Sequence, residues 1–171
     1  MITIRPEQPN DILSVHAVNA SAFGQPTEAN LVDTLRTACP EAVSLVAVSD
    51  DQVVGHIFFS PVTINDGEQE VKGMGLAPMA VLPDHQRQGI GSQLVKTGLE
   101  ILRKRNCPFV IVLGHPNFYP RFGFSPASWY GILSQWPEVP DEAFMVLIFD
   151  EAIMSKVCGT ARYRKEFDQA V

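Results

Sequence analysis

The chain has 171 residues, of which 46% are hydrophobic and 19% charged, a composition typical of a globular protein and not of a disordered one. Thirteen basic and 19 acidic residues give a net charge of −6, which argues against nucleic acid as a partner because that role needs a clustered basic face. No apolar run approaches the roughly 20 residues of a membrane span, and the N-terminus lacks the apolar stretch of a signal peptide, so no membrane partner is expected.

The first half of the chain shows a short strand, two helices and a group of longer strands. Alternating Ile2 and Ile4 predict the first strand, and Gly24 and Pro40 mark the ends of the two helices. The expected elements are a strand ending at Pro6, a helix from Asn10 or Asp11 to about Phe23, a helix capped by Thr27, and strands at Val43–Val48 and Val53–Ile64.

The second half opens with a hairpin signal, Asn65-Asp66-Gly67. The expected elements after it are a strand at Val71–Leu82, a helix from about Gly89 to Arg105, a strand at Phe109–Leu113, a short turn or helix at Pro116–Phe122, a long surface loop at Ser125–Glu142, a strand at Ala143–Phe149 and a partly helical tail at Glu151–Val171. This order predicts an α/β arrangement on a mixed sheet. The length fits one domain, with residues 1–150 as its body and 151–171 as a tail that packs on it or extends it.

Cysteine and histidine spacing argues against disulfides and metal sites. The three cysteines lie far apart and form no CxxC pair, so a reducing cytoplasm is the expected location. The four histidines show no HExxH or HxH spacing, and no metal is expected.

The most informative stretch is the junction between the strand ending at Leu82 and the following helix. It carries Gln86-Arg87-Gln88-Gly89-Ile90-Gly91-Ser92. A helix start presents unpaired backbone N–H groups and a partial positive charge, and glycines let a phosphate approach the backbone. The junction is therefore a candidate pyrophosphate site, although two glycines at this spacing also occur in ordinary strand-to-helix turns.

Two other nucleotide motifs fail at this junction. The Walker pattern GxxxxGK[ST] is absent, and Leu94 stands where a dinucleotide fingerprint needs its third glycine. The preceding strand is joined to its neighbour by a hairpin, which fits a βαβ unit poorly.

Taken together, the motifs resemble the GNAT superfamily of acetyl-CoA-dependent N-acetyltransferases. Gln86-x-x-Gly89-x-Gly91 is similar to the family's Q/R-x-x-G-x-G/A motif, and Met79-Ala80-Val81-Leu82-Pro83 resembles its L-A-V-x-P strand end. Tyr119-Pro120-Arg121-Phe122-Gly123-Phe124 resembles its later Y-x-x-x-G-F element, and the stretch from Leu113 to Phe124 resembles the YhbS-like branch. The resemblance implies a GNAT-like fold, a mixed and largely antiparallel central sheet flanked by helices in a single domain.

The resemblance also implies a set of cofactor-binding residues. The backbone amides of Arg87 to Ser92 are expected to hold the pyrophosphate of coenzyme A. The strand end at Met79–Val81 is expected to pair with the pantetheine arm as an added strand would. The assigned residues are Met79, Ala80, Val81, Gln86, Arg87, Gln88, Gly89, Ile90, Gly91, Ser92 and Asn117.

The catalytic residues implied by the resemblance are Tyr119 and a carboxylate. Tyr119 is expected to protonate the departing thiolate, since a phenol stays neutral at working pH. From residue chemistry alone, a tyrosine flanked by Phe118, Phe122 and Phe124 is more often a packed core aromatic, and the resemblance to the Y-x-x-x-G-F element is what favours the catalytic role. Glu28 is the first candidate for the base that deprotonates the amine, and His115 is the second; either also fits an ordinary structural position.

Two further residue groups have open interpretations. Cys107 beside a strand is expected to be inert, which argues against a cysteine-based ping-pong mechanism. Trp129, Tyr130 and Trp136 lie in the long loop, where they fit either a pocket for the acceptor or a cover on the core. Phe23–Thr27 is the other segment expected to contact the acceptor.

The resulting hypothesis is an N-acetyltransferase, an acyltransferase that moves an acetyl group from acetyl-CoA to a primary amine by direct attack in a ternary complex. The amine belongs to a small molecule or a peptide, and a homodimer is a possible assembly. The alternatives are a non-catalytic acyl-CoA-binding regulatory module, which would not need Tyr119, and a nucleotide-binding protein of another kind.

Overall fold

A computed structural model describes residues 1–169. In chain order, its helices and strands are β1 (Ile2–Pro6), α1 (Ile12–Phe23), α2 (Thr27–Ala38), β2 (Val43–Ser49), β3 (Gln52–Asn65), β4 (Glu70–Val81), α3 (Ile90–Lys104), β5 (Phe109–Leu113), β6 (Ser125–Pro126), β7 (Ile132–Ser134), β8 (Phe144–Ile148), α4 (Glu151–Met154) and β9 (Gly159–Arg162).

The chain forms two compact units. The first contains residues 1–60, 77–100 and the described residues from 165 onward, and the second contains 61–76 and 101–164. Strands β3 and β4 and helix α3 each run through both units.

In the first unit, the central strand β3 is covered on both faces. Strands β1 and β2 are antiparallel, as are β2 and β3, with Ala47 opposite Gly55. A Cβ at Gly55 would lie 3.2 Å from both Ile90 Cγ2 and Leu94 Cδ1 of α3, so the missing side chain lets the start of that helix pack closely on the strand. The next residue, His56, contacts Asn19 of α1, as the alternation of side chains along a strand requires.

His56 is the centre of a buried polar chain in this unit. The Asn19 side-chain amide lies 3.1 Å from His56 Nδ1, and Ser44 Oγ lies 2.8 Å from His56 Nε2. Ser44 donates to Glu7 at 3.1 Å, and Glu7 accepts two hydrogen bonds from Arg36 at 2.9 and 2.7 Å. Burial, followed by the charge of Arg36, lowers the pKa of His56 to about 3. The imidazole is therefore neutral at physiological pH.

In the second unit, β4 pairs in parallel with β5, and the remaining strands extend the sheet by antiparallel and parallel ladders. Strand β5 is antiparallel to β8, and β8 is antiparallel to β6. Strand β9 is antiparallel to the end of β3 and parallel to β7. Residues 109–112 are fully buried, as the continuous apolar sequence of β5 predicts.

Most element boundaries agree with the sequence-based expectations to within one or two residues, the tail is partly helical as expected, and one expectation was wrong. The segment expected as a surface loop, Ser125–Glu142, contains β6 and β7, and Ala127 and Ile132 within it are buried. The tail contains the strand β9 as well as helical turns. The strands β6, β7 and β9 each have four residues or fewer, too short to show a period-2 pattern.

Smaller differences concern a helix start and the tail. Thr27 is the first residue of α2 and Pro26 its N-cap, so Thr27 does not cap the helix. Strand β9 of the tail pairs with β3 and β7, and the division at residue 150 remains a prediction. Of the tail, Ala170 and Val171 lie outside the described residues. No helix among residues 1–169 has the length and apolar character to cross a membrane.

Candidate active site

The junction between β4 and α3 is built from backbone in unusual conformations. A short 3-10 helix covers Pro83–His85. Arg87 and Gly89 then adopt positive φ angles of 62° and 82°. Left-handed residues in a turn expose successive N–H groups and form concave anion-binding surfaces. A Cβ at Gly89 would meet nothing within 4 Å, so the space in front of this residue is open.

The backbone N–H groups from Arg87 to Ser92 have no backbone acceptor within residues 1–169. The first i→i−4 hydrogen bond of α3 runs from Gln93 N–H to Gly89 O at 3.1 Å. The backbone N–H groups of Ile90, Gly91 and Ser92 come before it, so they make no hydrogen bond of the helical ladder. Within residues 1–169, the amides of Arg87, Gln88 and Gly89 donate no backbone hydrogen bond. The predicted binding segment is therefore a run of available donors at a helix N-terminus.

Two glutamine side chains hold the shape of the junction. The Gln86 side-chain amide donates to Val81 O at 2.9 Å, and the Gln88 amide donates to Asp84 O at 3.4 Å. Gln86 therefore joins the end of β4 to the turn. Its sequence assignment to the cofactor site stays a prediction, and its contact in the structure is with the polypeptide.

The end of β4 leaves the ladder with its parallel neighbour. That ladder joins Met74–Leu76 to Val110–Val112 and includes no residue of Ala77–Val81. Ala80 is buried, whereas Met79 and Val81 are half-buried. Leu82 N–H donates to Val54 O at 2.8 Å, which fixes the strand end to β3.

Tyr119 begins a 3-10 helix, Tyr119–Phe122, in the second unit. It is 6% exposed, and its ring packs edge-on against Phe118 and Phe124 with centroids 5.0 and 5.7 Å away. A Cβ at Gly114 would lie 2.4 Å from Tyr119 Cε2, so the ring rests directly on this glycine. Burial raises the pKa of Tyr119 to about 12, and the phenol is protonated at physiological pH.

Asn117 and His115 precede Tyr119 in an exposed turn. Asn117 O accepts a hydrogen bond from Arg121 at 3.4 Å. His115 O accepts from Phe118 N–H at 3.1 Å and from Tyr119 N–H at 3.4 Å. The backbone of His115 thus helps to fix Tyr119, and the predicted roles of both side chains stay predictions.

Glu28 lies in the first turn of α2, and its carboxylate accepts hydrogen bonds from the Gln25 side chain at 3.1 and 3.2 Å. Among the described residues of the first unit, no hydrogen bond or ion pair links Glu28 to the junction before α3. The first unit therefore brings together Met79–Val81 and Gln86–Ser92, and Glu28 remains a separate candidate.

The structure gives no support to cysteine or metal chemistry in the described part of the chain. Burial raises the pKa of the Cys107 thiol, which disfavours the reactive thiolate. Within residues 1–169, no three His, Cys, Asp or Glu side chains are grouped so that they could hold a metal ion.

Two features near Tyr119 escaped the sequence analysis. Gly114 provides the space for its ring, and Tyr163, from the tail, packs on Gly75 of β4. A glycine inside a strand pattern, such as Gly75, signals close approach by another group. That signal was present in the sequence, but it did not identify Tyr163 as the approaching residue.

Comparison with known proteins adds to these observations. Residues 3–127 match the family model of the acetyltransferase (GNAT) domain. The chain is 34% identical to an uncharacterized N-acetyltransferase, YhbS, of Escherichia coli strain K12, over 97% of this chain and 98% of that protein.

Two solved structures resemble the fold over nearly its whole length. The crystal structure of E. coli YhbS in complex with CoA matches with a TM-score of 0.89 at 33% identity, covering 98% of this chain and 92% of that one. A GNAT family acetyltransferase from Brucella melitensis, in complex with acetyl-CoA, matches with a TM-score of 0.81 at 34% identity, covering 98% and 99%. The predicted fold, a mixed and largely antiparallel sheet flanked by helices, is confirmed.

Proposed function

Because this chain belongs to the GNAT family of acetyltransferases, we propose that it transfers an acetyl group from acetyl-CoA to a primary amine by direct attack in a ternary complex. The observation that carries the proposal is the run of available backbone amides from Arg87 to Ser92, in a turn with two left-handed residues. Solved relatives about one-third identical contain CoA or acetyl-CoA.

The junction before α3 has the chemistry that a pyrophosphate needs. Its amides are donors, the helix adds a partial positive charge, and the open space at Gly89 admits a bulky anion. The chain carries a net charge of −6, which disfavours an anionic ligand. Backbone N–H groups at a helix N-terminus bind a phosphate without a basic side chain, so the site is compatible with that charge.

The end of β4 supports the second half of the cofactor assignment. The backbone of Met79–Val81 lies beyond the ladder with β5, which fits an extended pantetheine arm that pairs with a strand edge. In the proposed site, an amide from this strand end donates to the thioester carbonyl and stabilises the negative charge that develops on its oxygen. Acetyl-CoA supplies the reactive acyl carbon as a thioester.

Tyr119 is the proposed general acid. Its buried hydroxyl is neutral, so it holds the proton that a departing thiolate needs. Glu28 is the proposed base, with His115 as the second candidate, and Asn117 is the proposed further contact to the cofactor.

The acceptor is proposed to be a small-molecule or peptide amine. The segments Phe23–Thr27 and Ser125–Glu142 are the proposed acceptor contacts, and Trp129 and Tyr130 in the second segment are exposed. We further propose a cytoplasmic location, since the three cysteines are free thiols, and a homodimer as a possible assembly.

The test combines binding with turnover. Acetyl-CoA should raise the melting temperature of the full chain, whereas ATP and NAD should not. A panel of small amines and short peptides is then screened for release of free thiol from acetyl-CoA. Stabilisation by NAD alone would overturn the proposal, and binding of acetyl-CoA without transfer to any amine would favour the non-catalytic binding module.

A further inference from the structure

A cavity of about 720 Å³ lies in the first unit, between helix α2 and the last described turn of the chain. That turn is the 3-10 helix Lys165–Gln169, which contacts α2 and whose Phe167 is buried. Pockets for small molecules typically measure about 300–1,000 Å³, so the cavity has room for a ligand. None of the residues assigned to acetyl-CoA lines it.

One wall of the cavity is a polar face of α2. Thr27, Asn30, Leu31 and Thr34 line this wall, and their spacing of three and four residues puts them on one side of the helix. Leu31 is buried, whereas Asn30 and Thr34 are exposed. A helix face that only packed against the tail would be apolar, so this face fits a polar ligand.

The second wall, formed by the tail, adds charged groups. Lys165, Glu166 and Asp168 line it, which gives two carboxylates beside one ammonium group. Glu166 is half-buried, and the other two are exposed. A carboxylate only accepts hydrogen bonds, and an ammonium group only donates them. The larger number of carboxylates therefore favours a cationic ligand over an anionic one.

The cavity adjoins the proposed base. Glu28 directly follows Thr27 and lies three residues before Leu31, and both of these neighbours line the cavity. Residues three apart on a helix are adjacent on its surface. An amine held in the cavity therefore lies close to the Glu28 side chain.

We propose that this cavity binds the acceptor, and that the acceptor is a small amine with a second ammonium group. One ammonium group lies beside Glu28 and passes a proton to its carboxylate. The other donates hydrogen bonds to the carboxylates of Glu166 and Asp168. The inference rests on the proposed function and deepens it, because it names a substrate class and adds the tail to the expected acceptor contacts.

Binding to the full chain, with and without coenzyme A, tests the substrate class. Calorimetry compares three probes of equal chain length: 1,5-diaminopentane, 1-aminopentane and 5-aminopentanoate. We expect the diamine to bind roughly tenfold more tightly than the other two, because only it donates charge-assisted hydrogen bonds at both ends. Equal affinity for the diamine and the monoamine would overturn the inference. Tighter binding of 5-aminopentanoate would also overturn it and would indicate a carboxylate bound by Lys165.

Two threonines of α2 form a matched pair that tests the location. Thr34 lines the cavity, whereas Thr37 does not. Both are exposed, and each hydroxyl donates to a carbonyl of the same helix, at 3.0 Å to Asn30 O and at 3.1 Å to Thr34 O. Thr34→Trp fills the cavity and should weaken binding of the diamine at least tenfold, whereas Thr37→Trp should change it less than twofold. Equal effects of the two substitutions would contradict the location.

The tail carboxylates are tested without a change of shape. The double variant Glu166→Gln, Asp168→Asn keeps the size of both side chains and removes their charges. Affinity for 1,5-diaminopentane should fall about tenfold, and affinity for 1-aminopentane should stay within about twofold. An unchanged affinity for the diamine would overturn the role of the two carboxylates.

Transfer assays separate this inference from the proposed function. With 1,5-diaminopentane as acceptor, Thr34→Trp should raise KM for the diamine at least tenfold and leave KM for acetyl-CoA unchanged. Acetylation of another amine with the same KM in Thr34→Trp and in the wild type contradicts this inference alone. Binding of the diamine in the cavity without thiol release from any amine contradicts the proposed function, while the measured binding still supports the cavity as an amine site.

Discussion

The junction before α3 and the aromatic cluster around Tyr119 are built on opposite principles. The junction presents backbone amides in open space, and its side chains are largely exposed. The cluster presents one hydroxyl from a ring that is buried against Phe118, Phe124 and Gly114. A site made of backbone tolerates changes of side chain and is sensitive to φ angles, whereas a site made of one side chain is sensitive to its identity and to its packing.

Replacement of Tyr119 by Phe should have the largest effect on turnover. The substitution removes one hydroxyl and keeps the ring, so the packing on Gly114 remains. Loss of a general acid typically costs 10²- to 10⁴-fold in rate, and we expect a loss of kcat in this range with unchanged affinity for acetyl-CoA. Steady-state kinetics and calorimetry measure the two quantities. A matched loss of affinity would show that Tyr119 acts in binding.

His56 extends the comparison to a buried side chain with a structural role. Its pKa is lowered to about 3 in the folded state and is about 6.5 in an unfolded chain. The unfolded state therefore binds the proton more readily, so the contribution to stability is complete above pH 6.5 and is lost as the pH falls towards 3. The loss is on the order of 4 kcal/mol.

Denaturant unfolding at several pH values checks this prediction. The free energy of unfolding of His56→Gln should depend less on pH between 6.5 and 3 than that of the wild type. Asp11 and Asp33, whose pKa values are also lowered, are present in both proteins, so the difference isolates the histidine. Identical slopes for the two proteins would contradict the prediction.

Gly114→Ala tests the packing of the cluster without removing its hydroxyl. The added methyl would lie 2.4 Å from the Tyr119 ring, which must move. Overpacking of this kind costs about 1–3 kcal/mol, and we expect that loss of stability together with a lower kcat. Thermal unfolding and steady-state kinetics measure the two effects.

A double-mutant cycle supplies the control for Gly114→Ala. In a Tyr119→Ala background the clashing ring is absent, so the added methyl should cost little further stability. An equal cost in both backgrounds would show that the penalty comes from the backbone at residue 114 and not from the tyrosine.

The two regions also differ in how far the sequence predicted them. The strand-to-helix turn at the junction was predicted from the sequence, because Gly89 acts through local backbone geometry, which depends on neighbours in sequence. The assignment of its residues to a cofactor stays a prediction. The approach of Tyr163 to Gly75 depends on residues far apart in the chain, and the packing of the Tyr119 ring on Gly114 depends on how the turn between them folds. Strands β6 and β7 were missed for the same reason, since their short lengths are stabilised by pairing with β8 and β9.

The smallest effects should come from the junction itself, where Arg87 and Gly89 form a matched pair. Both adopt positive φ angles. Gly89 does so without a steric cost because it has no Cβ, whereas the Cβ of Arg87 makes this conformation unfavourable. Gly89→Ala places a methyl in open space and costs about 1–2 kcal/mol at a positive φ. Because the unbound turn relieves this strain by leaving the conformation that binds, affinity for acetyl-CoA should fall roughly 5- to 30-fold with kcat unchanged at saturation. Arg87→Gly removes a side chain and relieves strain, and affinity should stay within about threefold. Calorimetric titration of both variants with acetyl-CoA distinguishes a backbone site from a side-chain site. A backbone site predicts the larger loss of affinity in Gly89→Ala. A site that depends on the charge of Arg87 predicts the larger loss in Arg87→Gly.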